Sequence, residues 1–228
     1  MKKLYAILAA LVMTVACAFG LAGCGNGGAS DSFGGAPEIP DSTGEPEIPD
    51  NTGGETPGEP DVGERNVLVV YFSWSSAGNT EKMANYIAEQ TEATVREITP
   101  VTPYPTEYTP TTEVARKEKE NNARPAIKDP LTQEQIDGYN SVFVGFPIWW
   151  HTAPMIIGTF LESYDWSEDA HIYPFFQGAS NSNNSYYTET MEFINGCAAG
   201  ATVHGGLYAA HGNTAAINSY LRANGFIK

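Results

Sequence analysis

Apolar positions follow two regimes along the chain. From residue 66 onward, short unbroken apolar runs alternate with stretches where apolar residues recur every three or four positions. Val67 to Phe72 and Ser141 to Phe146 are continuous apolar runs, the pattern of strands buried on both faces of a parallel sheet. Thr94 to Ile98, Ala170 to Phe176 and Ala201 to Leu207 read as three further strands. Met83, Ile87 and Ala88 stand at helical spacing and predict a helix from Asn79 to Gln90. Further helices are expected over Ala153 to Ser163, with Pro154 tolerated in the first turn, over Tyr186 to Asn195, and over Asn213 to Ala223. Five strands with intervening helices predict an α/β fold, a doubly wound five-stranded parallel sheet with helices on both faces. Pro100 to Pro130 interrupts the alternation. Pro103, Pro105, Pro110, Pro125 and Pro130, with one charged helical stretch near Thr112 to Asn121, predict an irregular surface excursion.

The first 65 residues obey different rules. Lys2 and Lys3 precede an apolar run from Leu4 to Phe19, then small residues and a cysteine, Leu21-Ala22-Gly23-Cys24. A charged start, a short apolar middle and a small-residue end form the pattern of a secretory signal peptide over residues 1–23. The alternative, a transmembrane helix, needs about 20 apolar residues, and no stop-transfer cluster follows the run. Leu-Ala-Gly-Cys resembles the lipobox of bacterial lipoproteins. That resemblance implies cleavage before Cys24 and lipidation of its thiol. A two-chain diacylglycerol group is enough for stable anchoring, where one chain is marginal.

Residues 24–65 are poor in large apolar side chains and carry a short repeat, Pro37-Glu38-Ile39-Pro40-Asp41 and Pro46-Glu47-Ile48-Pro49-Asp50. Such a segment cannot bury enough apolar surface to offset its chain entropy. It reads as an acidic, semi-extended linker, with a recognition motif for a partner as the alternative.

Charge sharpens this division. The whole chain has a net charge of -15. Ten acidic residues and one basic residue fall in the linker, and residues 66–228 keep 17 acidic and nine basic residues. No basic stripe is present, so nucleic acid is not an expected partner. An acidic surface suits cationic partners and salt-sensitive encounters. Of the three cysteines, Cys17 would leave with the signal and Cys24 would be lipidated, so Cys197 could form no intramolecular disulfide and reads as a packing residue.

In open parallel sheets ligands sit beyond the carboxyl ends of the strands. Three loops there have unusual composition. Ser73-Trp74-Ser75-Ser76-Ala77-Gly78-Asn79-Thr80 puts hydroxyls and a glycine directly before a helix, the ingredients of an anion site. It contains no Lys or Arg and no Gly-Lys-Ser/Thr ending, which suits a monophosphate and excludes a P-loop triphosphatase. Gly145-Phe146-Pro147-Ile148-Trp149-Trp150-His151 carries paired tryptophans at a strand end, which a flat aromatic ligand would explain by stacking. His151 would approach a bound ring or cap the next helix. Gln177-Gly178-Ala179-Ser180-Asn181-Ser182-Asn183-Asn184-Ser185 is small and polar, able to bond a heterocycle edge through backbone groups. Each loop also has a plain alternative: a capped turn, core packing, or a surface loop.

Taken jointly, these segments resemble the flavodoxin-like family. The resemblance covers residues 66–228 and rests on Tyr-Phe-Ser-Trp-Ser followed by Gly-Asn-Thr, on Gly-Phe-Pro-Ile-Trp-Trp-His-Thr-Ala-Pro, and on Tyr104, Tyr108 and Asn122-Ala123-Arg124-Pro125 in the excursion. It implies strand order 2-1-3-4-5 with FMN at the strand ends. Ser73, Ser75, Ser76, Ala77, Gly78, Asn79 and Thr80 would form the phosphate loop. Pro147, Ile148, Trp149, Trp150 and His151 would line the isoalloxazine, and Gly178, Ala179 and Ser180 would meet its pyrimidine side. Two features depart from the family pattern. Ser76 and Ala77 look inserted, and the third loop lacks a Gly-Gly-Ser-Gly type sequence. No metal site is expected. The resemblance implies an electron carrier tethered outside the cytoplasmic membrane, with redox proteins as partners. An FMN-dependent NAD(P)H or quinone reductase and a binding module without FMN are the alternatives.

Overall fold

The structure, a computed structural model, describes residues 65–178 and 184–228. The signal segment, Cys24, the linker up to residue 64, Ala179 and Ser180 lie outside the described residues.

The first unit is β1 (Val67–Tyr71), α1 (Asn79–Thr91) and β2 (Thr94–Glu97). Between β2 and the next long strand stand β3 (Thr99–Pro100), α2 (Tyr108–Glu120), β4 (Ile127–Lys128) and α3 (Gln133–Asp137). Then follow β5 (Ser141–Pro147), α4 (Met155–Glu162), β6 (His171–Gln177), α5 (Asn184–Cys197), β7 (Thr202–Val203), β8 (Leu207–Tyr208) and α6 (Thr214–Ala223). The main sheet runs β2-β1-β5-β6-β7, with β8 also on the outer edge of β6, and every pairing in it is parallel.

Apolar runs build this sheet because alternate side chains serve opposite faces. Leu68, Val70 and Phe72 join Val142, Val144, Phe146, Ile172 and Phe176 under α3, α4 and α5. Val67, Val69 and Tyr71 join Phe143, Tyr173 and Phe175 under Met83 and Ile87 of α1 and Ile217 and Leu221 of α6. Burying each such Val, Ile or Phe contributes about 1.5–3 kcal/mol. Gly145 is confined to this layer by space, since a Cβ there would lie 2.1 Å from the Phe175 ring.

Three expectations need correction. The fifth strand, expected as one run over Ala201 to Leu207, is two short pieces on the same edge. The carbonyls of Ala170, Ile172 and Phe176 accept from Thr202, His204 and Ala209, so by strand alternation Pro174 faces this edge too. It has no N–H to offer the ladder, and strand pairing stops there. The Gly206 amide turns instead to the Tyr187 hydroxyl at 3.1 Å. Second, the excursion is ordered. β3 and β4 pair antiparallel at its base, and α2 begins at Tyr108 rather than Thr112 because Pro110 falls in its first turn. Third, α3 was not anticipated. Thr132 and Gln135 form a reciprocal capping box at its start.

Candidate functional site

The first loop leaves β1 and turns into α1 through Gly78, whose φ of 60° is left-handed and suits glycine. Its amide donates to the Ser75 carbonyl at 2.8 Å, and the Ala77 amide donates to Ser75 Oγ at 3.1 Å. No side chain caps α1. Its first-turn amides therefore point out without intrahelical acceptors, and the helix dipole favours an anion there. Ser75, Ser76 and Ala77 are exposed, Ser73, Gly78 and Asn79 half-buried, and Thr80 buried. The field already draws in one carboxylate, because Glu81 Oε2 lies 2.9 Å from where a Gly78 Cβ would stand. Burial first, then Glu97 and Glu81, push the Tyr71 hydroxyl up to about 12. Burial and Glu81 also raise the Glu97 carboxyl above its usual range.

The second loop is a tight turn. Ile148 N donates to the Gln177 carbonyl at 2.7 Å, and Trp149 and Thr152 exchange backbone hydrogen bonds of 2.8 and 3.1 Å. The two residues between them, Trp150 and His151, have φ of 44° and 76°. Those are the φ signs of a type I′ turn, which normally recruits Asn and Gly. For Trp and His each such residue costs on the order of 1–2 kcal/mol. The strain is held by contacts. Trp150 stacks parallel to His151, and His151 stacks on Tyr186 with centroids 4.7 Å apart. Lys119 Nζ of α2 donates to the Trp150 carbonyl at 3.1 Å and pairs with Glu189 of α5. His151 caps no helix; the N-cap position of α4 is Pro154.

Trp149 turns inward. It meets Phe72 at 5.2 Å, Tyr104 at 4.8 Å and Trp74 at 6.1 Å, all edge to face. Trp74 Nε1 donates to the Pro105 carbonyl at 2.7 Å, and the Tyr104 hydroxyl donates to Glu118 Oε2 at 3.1 Å. The paired indoles therefore have separate surroundings. One is anchored beside the serine-rich loop, and the other is 39% exposed.

These pieces surround a cavity of about 380 Å³ at the carboxyl ends of β1, β5 and β6. Ile148, Trp149, Trp150, His151 and Gly178 line it, joined by Trp74 from the first loop. The opposite wall comes from α2, through Tyr108, Thr111, Thr112 and Ala115, and from Tyr186 of α5. Pro147, Ser73 and the residues from Ser75 to Thr80 do not line it, although Trp74 connects that loop to its wall. Gly178 sits close to Ile148 and Tyr208, where a Cβ would come within 3.2 Å of the Tyr208 hydroxyl. No Lys, Arg, Asp or Glu is among the lining residues.

Of the α2 wall the sequence singled out only Tyr108; Thr111, Thr112 and Ala115, and Tyr186 of α5, were not expected there. The signal was present, since positions 108, 111, 112 and 115 form one helical stripe. The prolines around it mask that periodicity. A larger cleft, about 460 Å³, lies at the opposite ends of the strands between Arg65, Arg96, Gln135 and Tyr139. Ligands of open parallel sheets favour the carboxyl ends, so the smaller, aromatic cavity is the candidate site.

Comparison with known proteins agrees with this geometry. A family profile described as Flavodoxin matches residues 66–206. A protein from Bacteroides eggerthii described as a flavoprotein is 26% identical over 70% of this chain and 98% of its own, with a TM-score of 0.55. One from Bacteroides uniformis, likewise described as a flavoprotein, is 28% identical over 63% of this chain and 88% of its own, with a TM-score of 0.52. A flavoprotein from Lactobacillus acidophilus, solved in complex with FMN, is 21% identical over 69% of this chain and 99% of its own, with a TM-score of 0.54, and shares the fold. Among curated proteins none matches the chain.

Proposed function

The chain belongs to the flavodoxin family, and we propose that it is an FMN-binding electron carrier tethered outside the cytoplasmic membrane by a lipid on Cys24. The observation that carries the reading is one juxtaposition. An uncapped helix N-terminus and an aromatic cavity free of charged side chains share the carboxyl edge of the sheet, linked by Trp74. The first suits a phosphate monoester and the second a flat heterocycle.

The cofactor is FMN, and when bound it supplies the redox chemistry. The residues divide the work of holding it. The loop from Ser73 through Ser75, Ser76, Ala77, Gly78, Asn79 and Thr80 would hold the phosphate through its hydroxyls and the amides at the start of α1, while the Ala77 and Gly78 amides, turned to Ser75, shape the loop. Ile148, Trp149, Trp150 and His151 would face the ring, with Tyr108 and Tyr186 opposite and Pro147 outside the cavity wall. Gly178 would meet the pyrimidine edge.

Charge sets the direction of the potential. Glu81 and Glu97 flank the phosphate end, and Lys119 beside the ring turn is paired with Glu189. Added negative charge on a reduced ring finds little compensation, so the bound potential lies below that of free FMN. The tether is supported by Lys2, Lys3, the apolar run and Leu21-Ala22-Gly23-Cys24 standing in the order of a lipoprotein signal. A Cys24→Ser chain is expected to leave the membrane fraction.

The deciding experiment is an absorption and fluorescence titration of the purified mature protein with FMN. A one-to-one yellow complex with quenched flavin emission is expected. Protein that stays colourless in excess FMN would overturn the proposal. Steady turnover with NADH or a quinone would favour a reductase over a carrier.

A further inference from the structure

We propose that Lys119 is a positioning residue for the ring-binding turn, holding Trp150 and His151 in their left-handed conformation and matching their charge environment to the cofactor. The inference rests on the FMN-binding reading above and extends it to α2, an element outside the three strand-end loops.

Four observations support it. The turn is strained at two consecutive bulky residues, with φ of 44° and 76°. Such strain persists only where the surroundings over-determine it. The Lys119 ammonium reaches the Trp150 carbonyl, the one between the two strained residues, at 3.1 Å. Glu189 of α5 fixes that ammonium from the other side, so the turn is gripped between two helices 70 residues apart in sequence. The preceding residue acts on the neighbouring indole, because Glu118 accepts from Tyr104, whose ring abuts Trp149. Consecutive residues of α2 thus hold consecutive tryptophans.

Two separable effects follow. Donation to the Trp150 carbonyl keeps the turn closed before the cofactor arrives, which lowers the ordering cost of binding. Pairing with Glu189 cancels the ammonium's charge, so the ring is approached by a dipole and not by a net cation. An ion pair without the contact to the Trp150 carbonyl would not hold the turn.

The test compares Lys119→Met, Lys119→Arg and Glu189→Gln in the full mature chain. Lys119→Met should weaken FMN binding about tenfold, the scale of one charge-assisted hydrogen bond, and flatten the near-ultraviolet circular dichroism of the indoles in the cofactor-free protein. Lys119→Arg should restore both. The midpoint potential should move in opposite directions, down in Lys119→Met, which leaves Glu189 uncompensated, and up in Glu189→Gln, which leaves the ammonium uncompensated. A folded Lys119→Met protein with wild-type affinity and an unchanged dichroism spectrum would overturn the proposal, as would shifts of potential in the same direction. Failure of the wild-type protein to take up FMN sinks the functional reading instead, and the cofactor-free dichroism then still reports on the turn.

Discussion

The Tyr104 hydroxyl donates to the Glu118 carboxylate at 3.1 Å, and this one bond fixes a ring that meets Trp149 edge-on. Burial pushes the Glu118 carboxyl up, more than the Tyr104 hydrogen bond pulls it down. A carboxyl whose folded pKa is raised favours folding when protonated. Its contribution is therefore fully present below the unfolded pKa and is lost as pH rises through the folded value. Glu118→Gln keeps an acceptor for Tyr104 and removes the ionisation. It should melt higher than wild type at neutral pH and match it near pH 3. Tyr104→Phe should cost about 1–3 kcal/mol, because it strands a half-buried carboxylate. Thermal melts at the two pH values check both.

His151 offers a trade between stability and binding. With φ at 76° and an exposed side chain, it stores strain that glycine would release. His151→Gly should stabilise the cofactor-free protein by about 1 kcal/mol, which is about 2–4 °C in a domain this size. The same change removes the ring between Trp150 and Tyr186, so FMN affinity should fall. A lower melting temperature would show that stacking outweighs strain.

Glu81 sits over Gly78 at the start of α1, where a phosphate would bind. Glu81→Gln removes a like charge from that position. Titration should show tighter FMN binding, by a few-fold at low salt, and the gain should shrink toward 1 M salt as the Debye length falls to about 3 Å. An equal or weaker affinity would place the phosphate elsewhere.

Cys197 should be inert in the native protein. Burial, with the Glu162 carboxylate beside it, pushes its thiol up to about 12. A disulfide reagent at pH 8 should titrate no Cys197 until the protein is unfolded. Arg124→Ala should open the site, because Arg124 bonds Glu162 through two nitrogens at 2.7 and 2.6 Å, lies over Phe193 and approaches the Cys197 sulfur at 3.8 Å. The Arg124 hydrogen bonds hold the Glu162 carboxyl below its usual range. That contribution is present above the unfolded pKa and is lost as pH falls through the folded one. It should be small, because Glu162 is substantially exposed. Thiol release at pH 8 and 4 compares the two proteins directly.

Local chemistry made much of this molecule legible in the chain. Val67 to Tyr71 and Ser141 to Phe146 read as buried strands because a parallel sheet demands apolar side chains on both faces. Gly78 before Asn79 read as a turn into a helix, and α1 does begin there behind a left-handed Gly78. Other features had partial local signals that went unused. Pro174 foretold the broken edge strand, and Thr132 with Gln135 foretold α3.

Partnership at a distance belonged to the tertiary structure alone. Neither Lys119 nor Trp150 carries a mark of the other, yet their contact spans 31 positions and decides the shape of the ring turn. Tyr186 and the Tyr108 face of α2 become cavity walls only when the excursion folds back over the strand ends. Periodicity along the chain reports which face of an element is apolar. Which neighbour covers that face is settled by packing, where long-range contacts outweigh local preference.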